Sequence, residues 1–213
     1  MLKSNKFKCY NPAGEHLLRI VNEYTDGNTG NTRMSNIRSE LSGTENIKNY
    51  FSFNDIEDTS ISGFSFQQKS YTKNKDGSIL YPINNDDFEF RIAYQNERTI
   101  RNDSNIVKNI LSTWKETKKI FRLLNRITFV HEDYPLKVDL SIVKSSKSDG
   151  RPIPEYNIEN SEVFTNPETF EVEIEIDRYK MATNTSLFEN LETLSKMIKR
   201  CTTIIFSGLQ DSF

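Results

Sequence analysis

The stretch Phe170-Glu171-Val172-Glu173-Ile174-Glu175-Ile176 alternates apolar residues with glutamates. Side chains of a β-strand point alternately to its two faces, so this period of two predicts a strand with one apolar and one acidic face. Neighbouring carboxylates on the acidic face would stand about 6 to 7 Å apart in a row. The apolar face needs a core to pack against, whereas the acidic face needs water or a ligand.

Upstream of this stretch, the same alternation recurs several times. We predict strands over residues 16–24, 33–41, 64–72, 87–95, 118–130 and 136–144. Turn sequences at residues 26–31 and 74–78 connect neighbouring strands, which favours antiparallel pairing. Apolar residues at helical spacing predict helices over residues 103–115 and about 186–206, with a short helix from Thr44. The sequence therefore predicts an α+β fold built on an antiparallel sheet with flanking helices.

The apolar side of each predicted strand indicates where the core should lie. These sides are formed by Leu18, Ile20 and Tyr24, by Phe88, Phe90, Ile92 and Tyr94, and by Val138, Leu140 and Ile142. The opposite sides are ionic rather than merely polar. Such a sheet either stays open, with its ionic face in solvent, or closes, with its apolar face under helices and its ionic face lining a lumen.

Composition narrows the class of protein. With 213 residues, 35% of them hydrophobic, the chain fits one domain with a helical tail, and a net charge of -2 selects no class of partner. Cys9 and Cys201 give neither a disulfide framework nor a zinc pattern, and His16 and His131 add no zinc spacing. No apolar run has the length of a membrane span and no signal peptide opens the chain, so we expect an intracellular, cytoplasmic protein.

The glutamate row has a complementary set of residues elsewhere in the chain. Arg122 and Arg126 share one face of a predicted strand, and Arg91 lies on another strand. Lys137, Asp139 and Ser141 share the polar face of a third. Glu171, Glu173 and Glu175 are suited to Mg²⁺ or Mn²⁺, because hard divalent cations take carboxylate oxygens. Arginine forks bind phosphate oxygens, and a glutamate can orient or deprotonate an attacking water.

Two simpler interpretations stay open at this point. The glutamate strand alone is typical of a solvated acidic face. The basic residues could form cross-strand salt bridges without any ligand. Arg19, Arg38 and Lys69 are weaker candidates for the same polyanion site.

Five motifs in this order resemble a known family. They are Leu17-Leu18-Arg19-Ile20 with Ser35-Asn36-Ile37-Arg38, Asp87-Phe88-Glu89-Phe90-Arg91, Phe121-Arg122 with Arg126-Ile127-Thr128-Phe129, Lys137-Val138-Asp139-Leu140-Ser141-Ile142, and Phe170-Glu171-Val172-Glu173-Ile174-Glu175. The pattern resembles the tunnel-type metal-dependent RNA triphosphatases, particularly the triphosphatase domain of mRNA capping enzymes from giant viruses. The resemblance implies a closed antiparallel β tunnel. It also implies hydrolysis of the γ-phosphate of 5'-triphosphate RNA with Mg²⁺ or Mn²⁺, that is, polynucleotide 5'-phosphatase activity, often with nucleoside triphosphates as further substrates.

Carried over by position, the resemblance makes Glu171, Glu173 and Glu175 the catalytic and metal-binding strand. It makes a phosphate-binding set of Arg122, Arg126, Arg91, Lys137, Asp139 and Ser141. Two positions depart from the family, because nothing before His16 matches its first Glu-x-Glu strand, and Leu124 stands where related enzymes often carry lysine. The resemblance also implies a guanylyltransferase domain after residue 213 and a location in the virion or viral factory. The alternatives are a non-catalytic tunnel that binds triphosphate, RNA or a partner, and a related enzyme acting on inorganic triphosphate or nucleotides.

Overall fold

The computed structural model describes residues 6–56, 63–86, 89–183 and 190–210, in which groups of consecutive strands are separated by helices. The strands are β1 (Phe7–Cys9), β2 (Glu15–Thr25), β3 (Thr32–Ser42), β4 (Phe64–Tyr71), β5 (Ile83–Asn85), β6 (Phe90–Ile92), β7 (Gln95–Ile100), β8 (Lys119–His131), β9 (Leu136–Ser145) and β10 (Thr169–Ile176). The helices are α1 (Thr44–Phe53), α2 (Asn105–Ser112), α3 (Arg178–Thr183) and α4 (Leu191–Gln210). This is the predicted α+β class with antiparallel pairing.

The chain divides into two compact units. Unit 1 comprises Met1–His16, Leu124–Val143 and Glu168–Phe213, and unit 2 comprises Leu17–Leu123 and Lys144–Pro167. The first five residues of β8 belong to unit 2 and the remainder to unit 1. The two units are described separately below.

Unit 2 contains the antiparallel series β2-β3-β4-β7. The hairpin between β2 and β3 forms at the predicted turn, where the Asp26 carboxylate accepts hydrogen bonds from the backbone N–H groups of Asn28 and Thr29. Gly30 supplies the positive φ of 68° that closes this turn. Aspartate in such a turn accepts hydrogen bonds from backbone N–H groups that have no partner in the strand ladder. This is why the turn sequence predicts the hairpin correctly.

The core of unit 2 lies under the apolar face of its strands. Leu18, Ile20, Leu41 and Phe66 are buried there, together with Trp114. Helix α2 is capped at its N-terminus by Ser104, whose side-chain hydroxyl accepts a hydrogen bond from the backbone N–H of Val107. This cap satisfies one donor that the helix itself cannot, and it sets Val107 into the core.

Unit 1 contains the series β10-β9-β8, with β1 also paired to β8. Its core consists of Phe7, Leu136, Val138 and Met197, so that helix α4 covers one end of the apolar face of β9. Beyond that end, Leu140 and Ile142 of β9 and their β10 neighbours Val172 and Phe170 are exposed. We call these four residues the exposed apolar strip.

Two predicted faces are wrong for identifiable reasons. Tyr24 was expected beside Leu18 and Ile20 but is exposed near the end of β2, beyond the shift in the pairing of β2 with β3 between Val21 and Glu23. Three residues of β3, 35–37, stand there against the single residue Asn22 of β2, so the ladder is interrupted before it reaches Tyr24. The expectation that Leu140 and Ile142 belong to the core also fails, because among the described residues of α4 only Met197 joins that core cluster.

The predicted strand over residues 87–95 is wrong in extent. Its first two residues lie outside the described residues, and the chain leaves extended pairing after Ile92 before β7 starts at Gln95. Strand β6 pairs with β5 as a separate two-stranded hairpin, and Ile92 and Tyr94 are exposed. A two-stranded ribbon has no second layer to cover apolar side chains, so alternation there does not mark a core.

The other predicted elements are confirmed within a few residues, including the short helix from Thr44 and the helix over residues 103–115. Helix α4 confirms the C-terminal helix from Leu191 onward, whereas its expected first turns lie outside the described residues. In the described parts of the chain, no helix has the length and apolar character needed to cross a membrane.

Candidate metal and phosphate site

The candidate site lies in unit 1 on the polar face of β8, β9 and β10. In the β9–β10 ladder, Glu173 stands opposite Asp139 and Glu175 stands opposite Lys137. Directly opposed residues of an antiparallel pair project from the same face with Cβ atoms about 4.5 to 5.5 Å apart. The register therefore brings the acidic row together with the charged residues of β9.

Three carboxylates form the centre of the site. One oxygen from each of Asp139, Glu173 and Glu175 lies within 4.8 Å of the others. Asp139 is 1% exposed, whereas the side chains of Glu173 and Glu175 are 38% and 42% exposed. The site thus has one buried acidic ligand at its base and two that reach solvent.

The buried carboxylate is only half satisfied by hydrogen bonds. Asp139 Oδ1 accepts from the Thr128 hydroxyl at 2.7 Å, but Asp139 Oδ2 is buried and has no hydrogen-bond partner among the described residues. A buried carboxylate oxygen without a hydrogen-bond donor is costly, and a directly bound cation satisfies it more fully than the ion pairs with Arg126 and Lys137 at 3.3 and 3.8 Å. An all-carboxylate donor set with such an oxygen fits a hard divalent cation such as Mg²⁺ or Mn²⁺.

Arg126 of β8 reaches across the site. Its Nη1 lies 3.3 Å from Asp139 Oδ2, its Nη2 donates to Glu173 Oε2 at 3.0 Å, and its Nε donates to the Ser141 hydroxyl at 3.4 Å. The contact with Asp139 is therefore an ion pair without hydrogen-bond geometry. Because the Arg126 side chain is 11% exposed, its guanidinium holds one orientation between two carboxylates.

Lys137 approaches the carboxylates from the solvent side. Its Nζ lies 2.6 Å from Glu175 Oε2 and 3.8 Å from Asp139 Oδ2. Burial opposes the charge on this ammonium, but the hydrogen bond to Glu175 and the attraction of Glu175 and Asp139 outweigh it, so the pKa of Lys137 is raised. Lys137 is therefore a cation throughout the neutral pH range.

The structure brings together six of the residues proposed from sequence: Arg126, Lys137, Asp139, Ser141, Glu173 and Glu175. Glu171 stands opposite Ser141 on the same strand face but is outside the group of converging carboxylates, where Asp139 takes its place. The converging group thus differs from the expected metal set of Glu171, Glu173 and Glu175 by one member, Asp139 of β9, and the role of Glu171 in metal binding stays a prediction. Three glutamates in line along a strand point in parallel, whereas two opposed strands supply converging oxygens.

The remaining proposed phosphate contacts lie in unit 2. Arg122 belongs to the segment of β8 assigned to that unit, and Arg91 is exposed on the separate β5–β6 hairpin. Their proposed role in phosphate binding stays a prediction.

The weaker candidates form an ionic cluster of their own in unit 2. Arg19 pairs with Glu40 at 2.8 Å, Arg38 lies 3.8 Å from the same carboxylate, and Lys69 pairs with Glu97 at 2.6 Å. Burial acts to raise the pKa of Glu97, but its hydrogen bond and attraction to Lys69 and the attraction of both arginines lower it overall. The cross-strand salt bridges considered from sequence are therefore present on this face.

Thr128 was missed as a site residue. It follows Arg126 by two positions on β8, so it shares the arginine's face, and its hydroxyl holds the buried carboxylate of Asp139. Its spacing from Arg126 was visible in the sequence, but its partner was not, because the pairing of β8 with β9 is a property of the fold.

Comparison with family models, with curated proteins and with solved structures gave no match.

Proposed function

We propose that this chain is a metal-dependent phosphohydrolase domain that removes the γ-phosphate of 5'-triphosphate RNA, the first step of mRNA capping. The observation that carries the proposal is the convergence of Asp139, Glu173 and Glu175, one oxygen of each lying within 4.8 Å of the others, together with the buried Asp139 Oδ2, which makes no hydrogen bond. Two basic side chains and a hydroxyl surround these carboxylates. This combination suits a divalent cation together with a phosphorylated substrate.

The position and charge of each residue determine its proposed role. Asp139, Glu173 and Glu175 would hold Mg²⁺ or Mn²⁺, which when bound neutralises phosphate charge and polarises the group under attack. Arg126 offers forked donors to phosphate oxygens, and Lys137 adds a second cation at the solvent side of the site. A glutamate of the row orients the attacking water and accepts its proton.

The proposed architecture around this site is a β tunnel with its ionic face inside. In unit 1 the polar residues Asp139 and Ser141 are buried, while Leu140 and Ile142 on the other face of β9 are exposed. That distribution is the reverse of an ordinary solvent-facing sheet. It supports the closed alternative over the open one.

The test is release of γ-phosphate from 5'-triphosphate RNA in the presence of Mn²⁺. We expect Glu173→Gln to lose at least about a hundredfold in rate, because it removes one ligand charge at the site. Glu192→Gln is the matched control, since Glu192 lies on α4 with a 71% exposed side chain and pairs only with Lys196 among the ion pairs of the described residues. Retained activity in Glu173→Gln would contradict the metal assignment.

One observation favours a second candidate, a non-catalytic domain that binds triphosphate ends. Arg126 and Lys137 already satisfy Glu173 and Glu175 as salt bridges, which gives a stable arrangement without a metal. A chain of this kind would bind 5'-triphosphate RNA in preference to 5'-hydroxyl RNA and release no phosphate. A related enzyme that acts on inorganic triphosphate or nucleotides would hydrolyse them at a rate that added 5'-triphosphate RNA does not reduce.

A further inference from the structure

We propose that Arg126 and Lys137 are internal counter-ions that a divalent cation displaces, so that the metal binds first and the phosphate second. This inference rests on the proposed metal site and describes how that site is regulated. It concerns what the two basic side chains do before any ligand arrives. Without a ligand, both side chains form ion pairs with the carboxylates.

The contacts show competition for the same oxygens. Arg126 Nη2 is on Glu173 Oε2 at 3.0 Å, and Lys137 Nζ is on Glu175 Oε2 at 2.6 Å. Both cations also approach Asp139 Oδ2, at 3.3 and 3.8 Å. A divalent ion that takes these carboxylates as ligands must displace the nitrogens from them, and it repels both cations electrostatically.

The charge of the cluster changes sign when a metal binds. Asp139, Glu173 and Glu175 against Arg126 and Lys137 leave a net charge of about -1, and a divalent ion brings this to about +1. Phosphate is therefore repelled before the metal binds and attracted afterwards. Coupling of this kind is reciprocal, so phosphate strengthens metal binding by the same factor.

The two cations differ in how far they can move. Arg126 is 11% exposed and its Nε also donates to Ser141, so it has little room to move and its displacement is confined to the site. The Lys137 side chain is 31% exposed and has its two carboxylate contacts on one side. Lys137 is therefore the side chain that leaves the carboxylates and follows the phosphate.

The experiment measures binding rather than turnover, with Mn²⁺ alone and inorganic phosphate as probes. Mn²⁺ affinity is followed by electron paramagnetic resonance of the free ion, and phosphate affinity by equilibrium dialysis with and without saturating Mn²⁺. In the wild-type chain we expect Mn²⁺ to strengthen phosphate binding by about tenfold or more. Even in water, the Coulomb attraction between a unit charge and a divalent ion about 6 Å apart corresponds to a change of about tenfold in a binding constant.

The Lys137→Met variant tests whether Lys137 acts as a counter-ion of the metal site or only stabilises the structure. Removal of the competing cation should tighten Mn²⁺ binding by about tenfold while it weakens phosphate binding in the presence of Mn²⁺. Lys147→Met is the matched control, because Lys147 is 30% exposed and pairs with Glu155 at 3.0 Å in unit 2. Lys137→Arg, which keeps the charge, should retain the coupling, and circular dichroism of each variant verifies folding.

Opposite changes in the two affinities of Lys137→Met support the proposal. If Mn²⁺ binds the wild-type chain but leaves phosphate affinity unchanged, or if Lys137→Met weakens Mn²⁺ binding, the displacement order is overturned while the metal site stands. If Mn²⁺ does not bind the wild-type chain, the proposed function fails together with this inference. The results therefore distinguish the failure of one from the failure of both.

Discussion

Arg126→Met isolates the role of the arginine between two carboxylates. The substitution keeps much of the side-chain volume and removes the cation from Asp139, which is 1% exposed, and from Glu173. Breaking a buried ion pair from one side costs about 3 to 5 kcal/mol. Lys137 remains 3.8 Å from Asp139 and Thr128 still donates to it, so we expect a smaller loss of about 2 to 3 kcal/mol in the free energy of unfolding.

Added Mn²⁺ should recover this loss, because the metal supplies the charge that the variant lacks. A ligand at 100 times its dissociation constant stabilises the folded state by about 2.7 kcal/mol. The variant has one competing cation fewer and should gain more stability than the wild-type chain at the same Mn²⁺ concentration. Urea unfolding followed by circular dichroism, with and without Mn²⁺, measures both effects.

Arg101→Met is the control, since Arg101 pairs with Asp103 where both side chains are largely exposed, at 85% and 64%. Exposed pairs of this kind contribute between about 0 and 1 kcal/mol. The reasoning is refuted if Arg126→Met is no less stable than Arg101→Met, or if Mn²⁺ stabilises the Arg126 variant and the wild-type chain equally.

Two further predictions concern buried titratable groups. Burial holds the pKa of His131 below its ordinary value of 6.5, and its Nδ1 accepts from the backbone N–H groups of Asp133 and Tyr134. As the pH falls below 6.5, the unfolded chain binds a proton that the folded chain does not, so urea unfolding should show a loss of stability that His131→Gln reduces. Burial lowers the pKa of Lys119 to about 8, from an ordinary value of 10.5. Nuclear magnetic resonance titration of its ammonium should give a midpoint near 8, and its contribution to stability should increase with pH between 8 and 10.5, where only the unfolded chain keeps the proton. A midpoint near 10.5 would contradict this burial argument.

Much of the fold could be predicted from local patterns. The turn at Asp26 and the cap at Ser104 each place a short polar side chain where the backbone needs an acceptor, so their sequences specify their structures. The shift in the pairing of β2 with β3 has no comparable local signal, because it depends on how the two strands align. Alternation over residues 87–95 predicted a strand where the structure has a short ribbon and a break.

The residues of the candidate site could be predicted individually, but their spatial arrangement could not. Period-two spacing placed Glu173 and Glu175 on one face, and Lys137 and Asp139 on another strand's polar face. Which of these oppose each other depends on strand register, and one step of register would exchange every partner. That register sets Asp139 directly opposite Glu173, which brings a carboxylate of β9 into the converging group.

The core of unit 2 contains a fluorescent side chain that reports on its surroundings. Trp114 is the single tryptophan of the chain, is 1% exposed, and has the Lys119 ammonium 5.3 Å from its ring centroid. Its emission therefore comes from that apolar environment and from no other part of the protein. A nearby charge changes the energy of an excited indole, so the same signal responds when Lys119 gains or loses its proton.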